Sequence, residues 1–308
     1  MPNEPAPAAL RRPPALAPGA RVALVAPAGP LRGAADLERA VENARRLGWE
    51  PVPSGHALDR RGYFAGHDAD RLADLNAALA DDAVDGVWCL RGGYGAMRLL
   101  DRVDYDALRR HPKPVVGYSD ITALHAAIGR QAGVTTFHGP TARAVLSPFS
   151  RDSLVRAVSH ATDPCGGDRT SARTLRRGRA RGVLVGGNLA LLAALAGTPY
   201  APNYEGAILV LEDVNEAVYR VDRMLRQLLL AGALRGLRGI AFGHCTDCPP
   251  ESDDGARALD EVVAELADTL AVPCAIGLPV GHVDDQWTVP LGAVAELDAD
   301  RGALHVEW

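Results

Sequence analysis

The chain has 308 residues, 47% of them hydrophobic and 23% charged, with a net charge of -5. That balance excludes a wholly disordered chain, which would be less apolar and more charged. The acidic excess argues against a general nucleic-acid binder, and the length suggests two domains at roughly 100–200 residues each.

The first 19 residues are rich in proline and contain no continuous apolar run, so they read as a disordered tail and a poor signal peptide. Structure is predicted to begin at Val22–Ala26, a short buried strand. A helix follows, with Leu37, Val41, Ala44 and Leu47 at helical spacing and Gly48 closing it. A second helix holds Leu72, Leu75 and Leu79. Val84–Leu90 is a strand that runs into Arg91-Gly92-Gly93-Tyr94-Gly95 and a further helix. Pro114–Tyr118 is another strand, followed by a helix marked by Ile121, Leu124 and Ile128. Strands alternating with helices imply a parallel sheet covered on both faces, an α/β unit over 20–150.

The stretch 151–181 reads as a connector with a solvated basic run, Arg173, Arg176, Arg177, Arg179 and Arg181. A polyphosphate or nucleic-acid site is the sharper alternative, but no aromatic residue interleaves with the arginines. A second unit, 182–308, opens with Gly186-Gly187-Asn188 and an Ala/Leu helix ending at Gly197-Thr198-Pro199. Ala207–Leu211 and Gly239–Phe242 are strands. The helix between them carries Val221, Leu225, Leu228 and Leu229, with Asp222 and Arg226 set to pair at i,i+4. Leu259 to Leu270 forms one more amphipathic face, and the chain closes as a hairpin turning near Asp300-Arg301-Gly302.

Four places offer chemistry. A buried strand runs into Ser119 and a helix leaves at once, the context of a nucleophile elbow that exposes a serine Oγ beside helix N–H groups. The full G-x-S-x-G pattern is absent, because Ile121 stands at the second glycine, and Ser119 or Asp120 could instead simply cap the helix. The glycines from Gly92 to Gly95 let backbone N–H groups approach a ligand, or else make a tight turn. Both loops leave the carboxyl ends of strands of one sheet, where ligands bind. A serine nucleophile needs an imidazole and the imidazole needs a carboxylate; His282 and one of Glu212, Asp213 or Glu216 could supply them, and spacing leaves that choice open. Finally, His244, Cys245, Cys248 and Cys274 could hold zinc, but the second paired ligand set of such sites is missing, so no metal is expected.

These segments, in this order, resemble the LD-carboxypeptidase family of serine peptidases. The resemblance rests on RGGYGAMRLLD, PVVGYSDITALH, FHGP, GGNLALLAALAGTPY, ILVLEDVNEAVYRVDRML and GLPVGHVDDQWTVPLG, and covers nearly the whole chain from Val22. It implies an N-terminal flavodoxin-like domain, a C-terminal β/α domain, and a Ser-His-Glu triad in the cleft between them. Carried over by motif, the nucleophile is Ser119, the base His282 and the carboxylate Glu212. The backbone N–H groups of Gly93 and Asp120 are implied as the oxyanion hole. Arg91 is a candidate for the substrate carboxylate by position, and Tyr94 joins it as a candidate substrate-binding residue.

The implied activity is removal of the terminal D-alanine from murein tetrapeptides by a cytoplasmic homodimer, with no cofactor or metal. Five cysteines without a dense framework read as mostly reduced thiols, which agrees with the cytoplasm. No window of about 18 apolar residues suggests a membrane span, so neither membrane nor nucleic acid is expected as a partner. Some relatives hydrolyse peptide–nucleotide antibiotics or aminoacyl-adenylate conjugates. Those would be expected to place aromatic residues in the connector, and 151–181 has none. A non-catalytic protein gripping an anion with its glycine loops is the remaining alternative.

Overall fold

The computed structural model describes residues 9–166, 171–248 and 257–308. In chain order, the first half forms β1 (Arg21–Val25), α1 (Ala34–Arg46), β2 (Glu50–Pro53), α2 (Asp68–Ala80), β3 (Gly86–Cys89), α3 (Tyr105–Arg110), β4 (Val115–Gly117), α4 (Thr122–Ala132), β5 (Thr136–His138) and α5 (Pro148–Val155). The second half forms β6 (Arg173–Arg176), β7 (Arg179–Asn188), α6 (Leu189–Leu195), β8 (Ala207–Val214), α7 (Val218–Leu230), β9 (Gly239–Thr246), α8 (Leu259–Leu270), β10 (Cys274–Ile276), β11 (Val289–Leu291), β12 (Val294–Asp298) and β13 (Ala303–Glu307).

Two sheets organise these elements. The first has the order β2-β1-β3-β4-β5-β11. Its first five strands are parallel, and 2-1-3-4-5 is the flavodoxin-like order, with its switch point between β1 and β3. The α/β reading therefore holds. Buried residues of β1 alternate between two cores: Ala23 and Val25 face one cluster, Val22 and Leu24 the other. Burial on both faces is why the strand reads as an unbroken apolar run.

The second sheet runs β13-β12-β7-β8-β9-β10-β6, parallel through β7 to β10 with antiparallel strands at either side. In β8, Leu209 and Leu211 face one core while Ile208 and Val210 face the other. The terminal hairpin is present as expected, with Asp298 paired to Ala303 across the turn.

Several expectations need correction. The described part of the tail is docked on the body. Leu16 is buried, its amide donates to Val158 O at 2.8 Å, and the Leu10 amide donates to Gly292 O at 2.8 Å. Leucine burial holds this segment although prolines interrupt it; residues 1–8 lie outside the described residues. The stretch 151–181 is not only connector, since β6 and the start of β7 are strands of the second sheet. Its arginines are not free either. Arg173 pairs with Asp260 (2.7 Å), Arg176 with Asp268 (3.4 Å), Arg177 with Asp300 (3.7 Å), Arg179 with Asp298 (2.8 Å) and Arg181 with Glu307 (2.5 Å). Such surface pairs stabilise little, but they neutralise the run that a polyphosphate would need. Asp222 pairs with Arg257 (3.6 Å) and Arg226 with Glu265 (2.8 Å), because α7 packs beside α8 and the i,i+4 pair gives way to contacts between helices. The segment after the glycine loop, Ala96–Arg102, is a 3₁₀ turn rather than an α-helix.

The sequence division at residue 182 is also crossed. β11 pairs antiparallel with β5, Val289 opposite His138, so a strand from the second half closes the edge of the first sheet. An edge of unpaired N–H and C=O groups is thereby covered.

Arg71 stitches the first sheet's loops together. Its side chain is fully buried, donating to the carbonyls of Pro27 and Gly95 and to Asp68. Hydrogen bonds from Arg98 and Arg71 hold the Asp68 carboxyl down at about 2, below the usual carboxylate range. A depressed carboxyl contributes stability that is present above its unfolded value and is lost as pH falls through the folded value. Asp68→Asn is therefore expected to cost on the order of 1 kcal/mol at pH 7, and to lose less further stability than wild type between about pH 4 and 2. Urea midpoints across that range measure the difference; parallel pH curves would remove Asp68 from the acid limb.

Candidate active site

Three loops meet at the carboxyl ends of β1, β3 and β4. Gly29, after β1, donates its amide to Gly92 O at 2.8 Å. A Cβ on Gly92 would fall 2.7 Å from Ser119 Cβ and 3.0 Å from Ser119 Oγ, and one on Gly93, at φ +103, would fall 3.0 Å from Gly29 Cα. Glycine at these positions lets the loop lie directly against the serine.

Ser119 itself has φ +65, in the left-handed region, and opens a 3₁₀ turn, Ser119–Ile121, leading into α4. A non-glycine residue held there is strained, and such strain gathers at functional turns. The elbow thus forms without the second glycine. The capping alternative does not hold, since no side chain caps this turn. Asp120 is buried and its carboxyl accepts the Ala96 N–H at 2.8 Å, tying the elbow to the glycine loop. Burial raises its pKa, opposed by that hydrogen bond.

The second half supplies the acid and the imidazole. The register of β8 against β9 shifts by one residue between Leu211 and Asp213, with the extra residue on β9, and strand alternation sends the consecutive acids Glu212 and Asp213 to opposite faces. Glu212 and Asp213 are both buried, contrary to the usual exposure of acids at a strand end, and they do different things. Glu212 Oε2 lies 2.8 Å from His282 Nδ1. Asp213 accepts from Asn188 Nδ2 (3.0 Å) and the Ala190 N–H (2.9 Å), which holds the start of α6. Its pKa is pushed up to about 6, chiefly by burial. Glu216 faces Arg220 at 3.6 Å.

His282 sits in a loop whose backbone is fixed by Thr246 Oγ1, donating to His282 O at 3.0 Å. Gly281 precedes it at φ +115, and a Cβ there would fall 2.8 Å from Glu212 Cβ. Only glycine brings the loop this close to the acid.

The two halves are joined around this point. The Asn188 amide donates to Thr122 Oγ1 at 2.9 Å, linking β7 to the elbow helix. The Tyr118 ring stands 4.8 Å from the His282 ring, centroid to centroid. Among the described residues no hydrogen bond joins Ser119 to His282, a looseness common before substrate arrives. Behind them His138 is wholly buried, and burial drives its pKa well below the usual value, so it remains neutral.

Family models for the LD-carboxypeptidase N-terminal domain and the LD-carboxypeptidase C-terminal domain match residues 22–139 and 181–297. The chain belongs to the LD-carboxypeptidase family. As a member it is a carboxypeptidase, a hydrolase of the serine class. The murein tetrapeptide carboxypeptidase of Pseudomonas aeruginosa is 38% identical over 295 residues, covering 91% of this chain and 94% of that protein. The crystal structure of the muramoyltetrapeptide carboxypeptidase from Oxalobacter formigenes is 30% identical with a TM-score of 0.81, covering 93% of this chain and 97% of that one. The microcin C7 self-immunity protein shares the fold, at a TM-score of 0.85 and 23% identity, covering 96% of this chain and 98% of its own. The two-domain α/β architecture of the LD-carboxypeptidase family is thus the architecture of this chain.

Of the other candidates from the sequence, Tyr94 is exposed and stacks edge-on against Tyr63 at 5.5 Å, beside the glycine loop. Arg91 donates to the Pro30 carbonyl. Cys245 and Cys248 are joined in a disulfide, which departs from the expected thiols and removes both sulfurs from any zinc site; Cys89, Cys165 and Cys274 are free and buried. Among the described residues one group of potential metal ligands occurs, His56, Asp59 and Asp70, and it contains none of the residues above. No helix among the described residues is long and apolar enough to cross a membrane. Sequence reasoning missed the roles of Thr122, Asn188 and Asp213 in holding the site together, although all three lie inside segments already singled out.

Proposed function

We propose that this LD-carboxypeptidase removes the terminal D-alanine from murein tetrapeptides through an acyl-enzyme on Ser119. The observation that carries the reading is the pairing of buried Glu212 with half-buried His282, at 2.8 Å beside the strained Ser119 turn. In this mechanism His282 Nε2 takes the Ser119 proton as Oγ attacks the carbonyl before D-alanine. The backbone N–H groups of Gly93 and Asp120 receive the oxyanion, His282 protonates the leaving amine, and water then releases the acyl group. Glu212 holds the Nδ1–H and stabilises the imidazolium. Arg91 and Tyr94 flank the substrate.

In the same reading, 20–150 supplies the nucleophile and 182–308 supplies the acid and base, with 151–181 between them. The assembly is a cytoplasmic homodimer, supported by family resemblance. Incubation with murein tetrapeptide is expected to release D-alanine and leave tripeptide. Cleavage of an aminoacyl-adenylate conjugate with no D-alanine release would instead support the antibiotic-conjugate reading.

A further inference from the structure

We propose that Arg143, together with Arg91 and Arg32, forms an anion subsite at the carboxyl ends of β1 and β3 that takes the free C-terminal carboxylate of the peptide. The inference deepens the carboxypeptidase reading and rests on it. Arg143 is built into place from both sides. The Ala142 amide donates to Cys89 O at 3.0 Å, which sets the segment against the end of β3. Asn43 Nδ2 donates to the carbonyls of Ala142 (2.8 Å) and Ala144 (2.9 Å), bracketing Arg143. The Arg143 side chain is only 26% exposed, and its Nε is buried without a hydrogen-bond partner among the described residues.

The charges around it do not balance. Asp36 is the carboxylate that Arg143 reaches, at 3.6 Å. Asp36 already accepts two hydrogen bonds from the Arg32 guanidinium (3.2 and 3.1 Å) and one from Arg39 (3.4 Å). One acid therefore faces three arginines, in contrast to the arginines of 173–181, each of which has an acid beside it. Burial lowers the Arg143 pKa; Asp36 opposes this, Arg91 and Arg32 lower it further, and Tyr118 raises it. Asp36 and the end of β3 set Arg143 beside the loops that follow β1 and β3, which carry Arg32 and Arg91. Cations crowded in a half-buried setting are stabilised by an added anion, and a carboxylate matches the guanidinium fork. A carboxypeptidase substrate carries such a carboxylate one residue beyond the scissile bond.

Binding in a Ser119→Ala background separates recognition from chemistry. By calorimetry, that variant is expected to bind a tetrapeptide ending in D-alanine about tenfold or more tighter than the same peptide ending in D-alaninamide. Adding Arg143→Gln should bring the two affinities to within about threefold, while Arg143→Lys, which keeps the charge, retains part of the preference. Unfolding temperatures of the variants confirm that the fold persists. An acid-over-amide preference that is absent, or that survives Arg143→Gln, overturns the subsite. D-alanine release by the wild-type protein, assayed in parallel, keeps the two readings distinct: release without an Arg143-dependent preference overturns the subsite alone, and an Arg143-dependent preference without release overturns the carboxypeptidase reading alone.

Discussion

Replacing Ser119 by alanine is expected to give a folded protein that releases D-alanine from tetrapeptide slower by about 10⁴-fold or more. The fold should persist because, among the described residues, the Ser119 Oγ makes no hydrogen bond on which the turn depends. The elbow is held instead by Asp120 on the Ala96 amide and by the close seat of Gly92 against Ser119 Cβ. Alanine retains that Cβ, so the packing is unchanged; the φ of +65 remains somewhat strained for either residue. The loss should fall on kcat, since the missing bond is formed only during reaction. Circular dichroism and thermal unfolding matched to wild type, with D-alanine release followed in parallel, make the measurement. Turnover within tenfold of wild type would exclude Ser119 as the nucleophile.

Glu212→Gln is expected to have the second-largest effect, about 10³- to 10⁴-fold in kcat at neutral pH with little change in KM. Glutamine fills the same volume, and its carbonyl oxygen can still accept from His282 Nδ1. It carries no charge, so the imidazolium that forms as Ser119 loses its proton is no longer stabilised. Glu212 is fully buried and its distance to His282 is 2.8 Å, which makes the electrostatic contribution larger than at a solvated site. The neighbouring acid gives the contrast. Asp213 bonds Asn188 and the α6 amide rather than an imidazole, so its loss would act on stability. Steady-state kinetics with the tetrapeptide decide the matter: a Glu212→Gln enzyme retaining more than about a tenth of wild-type kcat would remove Glu212 from the chemistry.

How far the sequence could be read follows from where each signal resides. Strands β1, β3, β4, β8 and β9 were legible because both faces of a parallel sheet are apolar, which leaves an unbroken hydrophobic run. Strand β2 was missed: Pro51 and Pro53 weaken the pattern, and the strand lies at the sheet edge where proline is tolerated. Strand β5 has three residues, too few for periodicity. The turn at Ser119 was visible from strand and helix signals on either side, although the glycine rule at position 121 argued against it.

Taken by itself, the sequence determined the α/β class, the chain order of most elements, the glycine loop and the serine turn. These depend on local periodicity and on backbone conformations that few residues adopt. Spacing left open which of three nearby acids meets His282, and the family resemblance pointed to Glu212; only the tertiary structure decided that β11 crosses into the first sheet and that the Arg143 segment is set against the end of β3. Each of those contacts joins residues far apart in the chain, and the choice turns on strand register or on which loop packs against which. A shift of one position reverses the face a strand residue presents while barely altering the hydrophobic pattern, so the composition of these segments is compatible with more than one pairing and the packing selects among them.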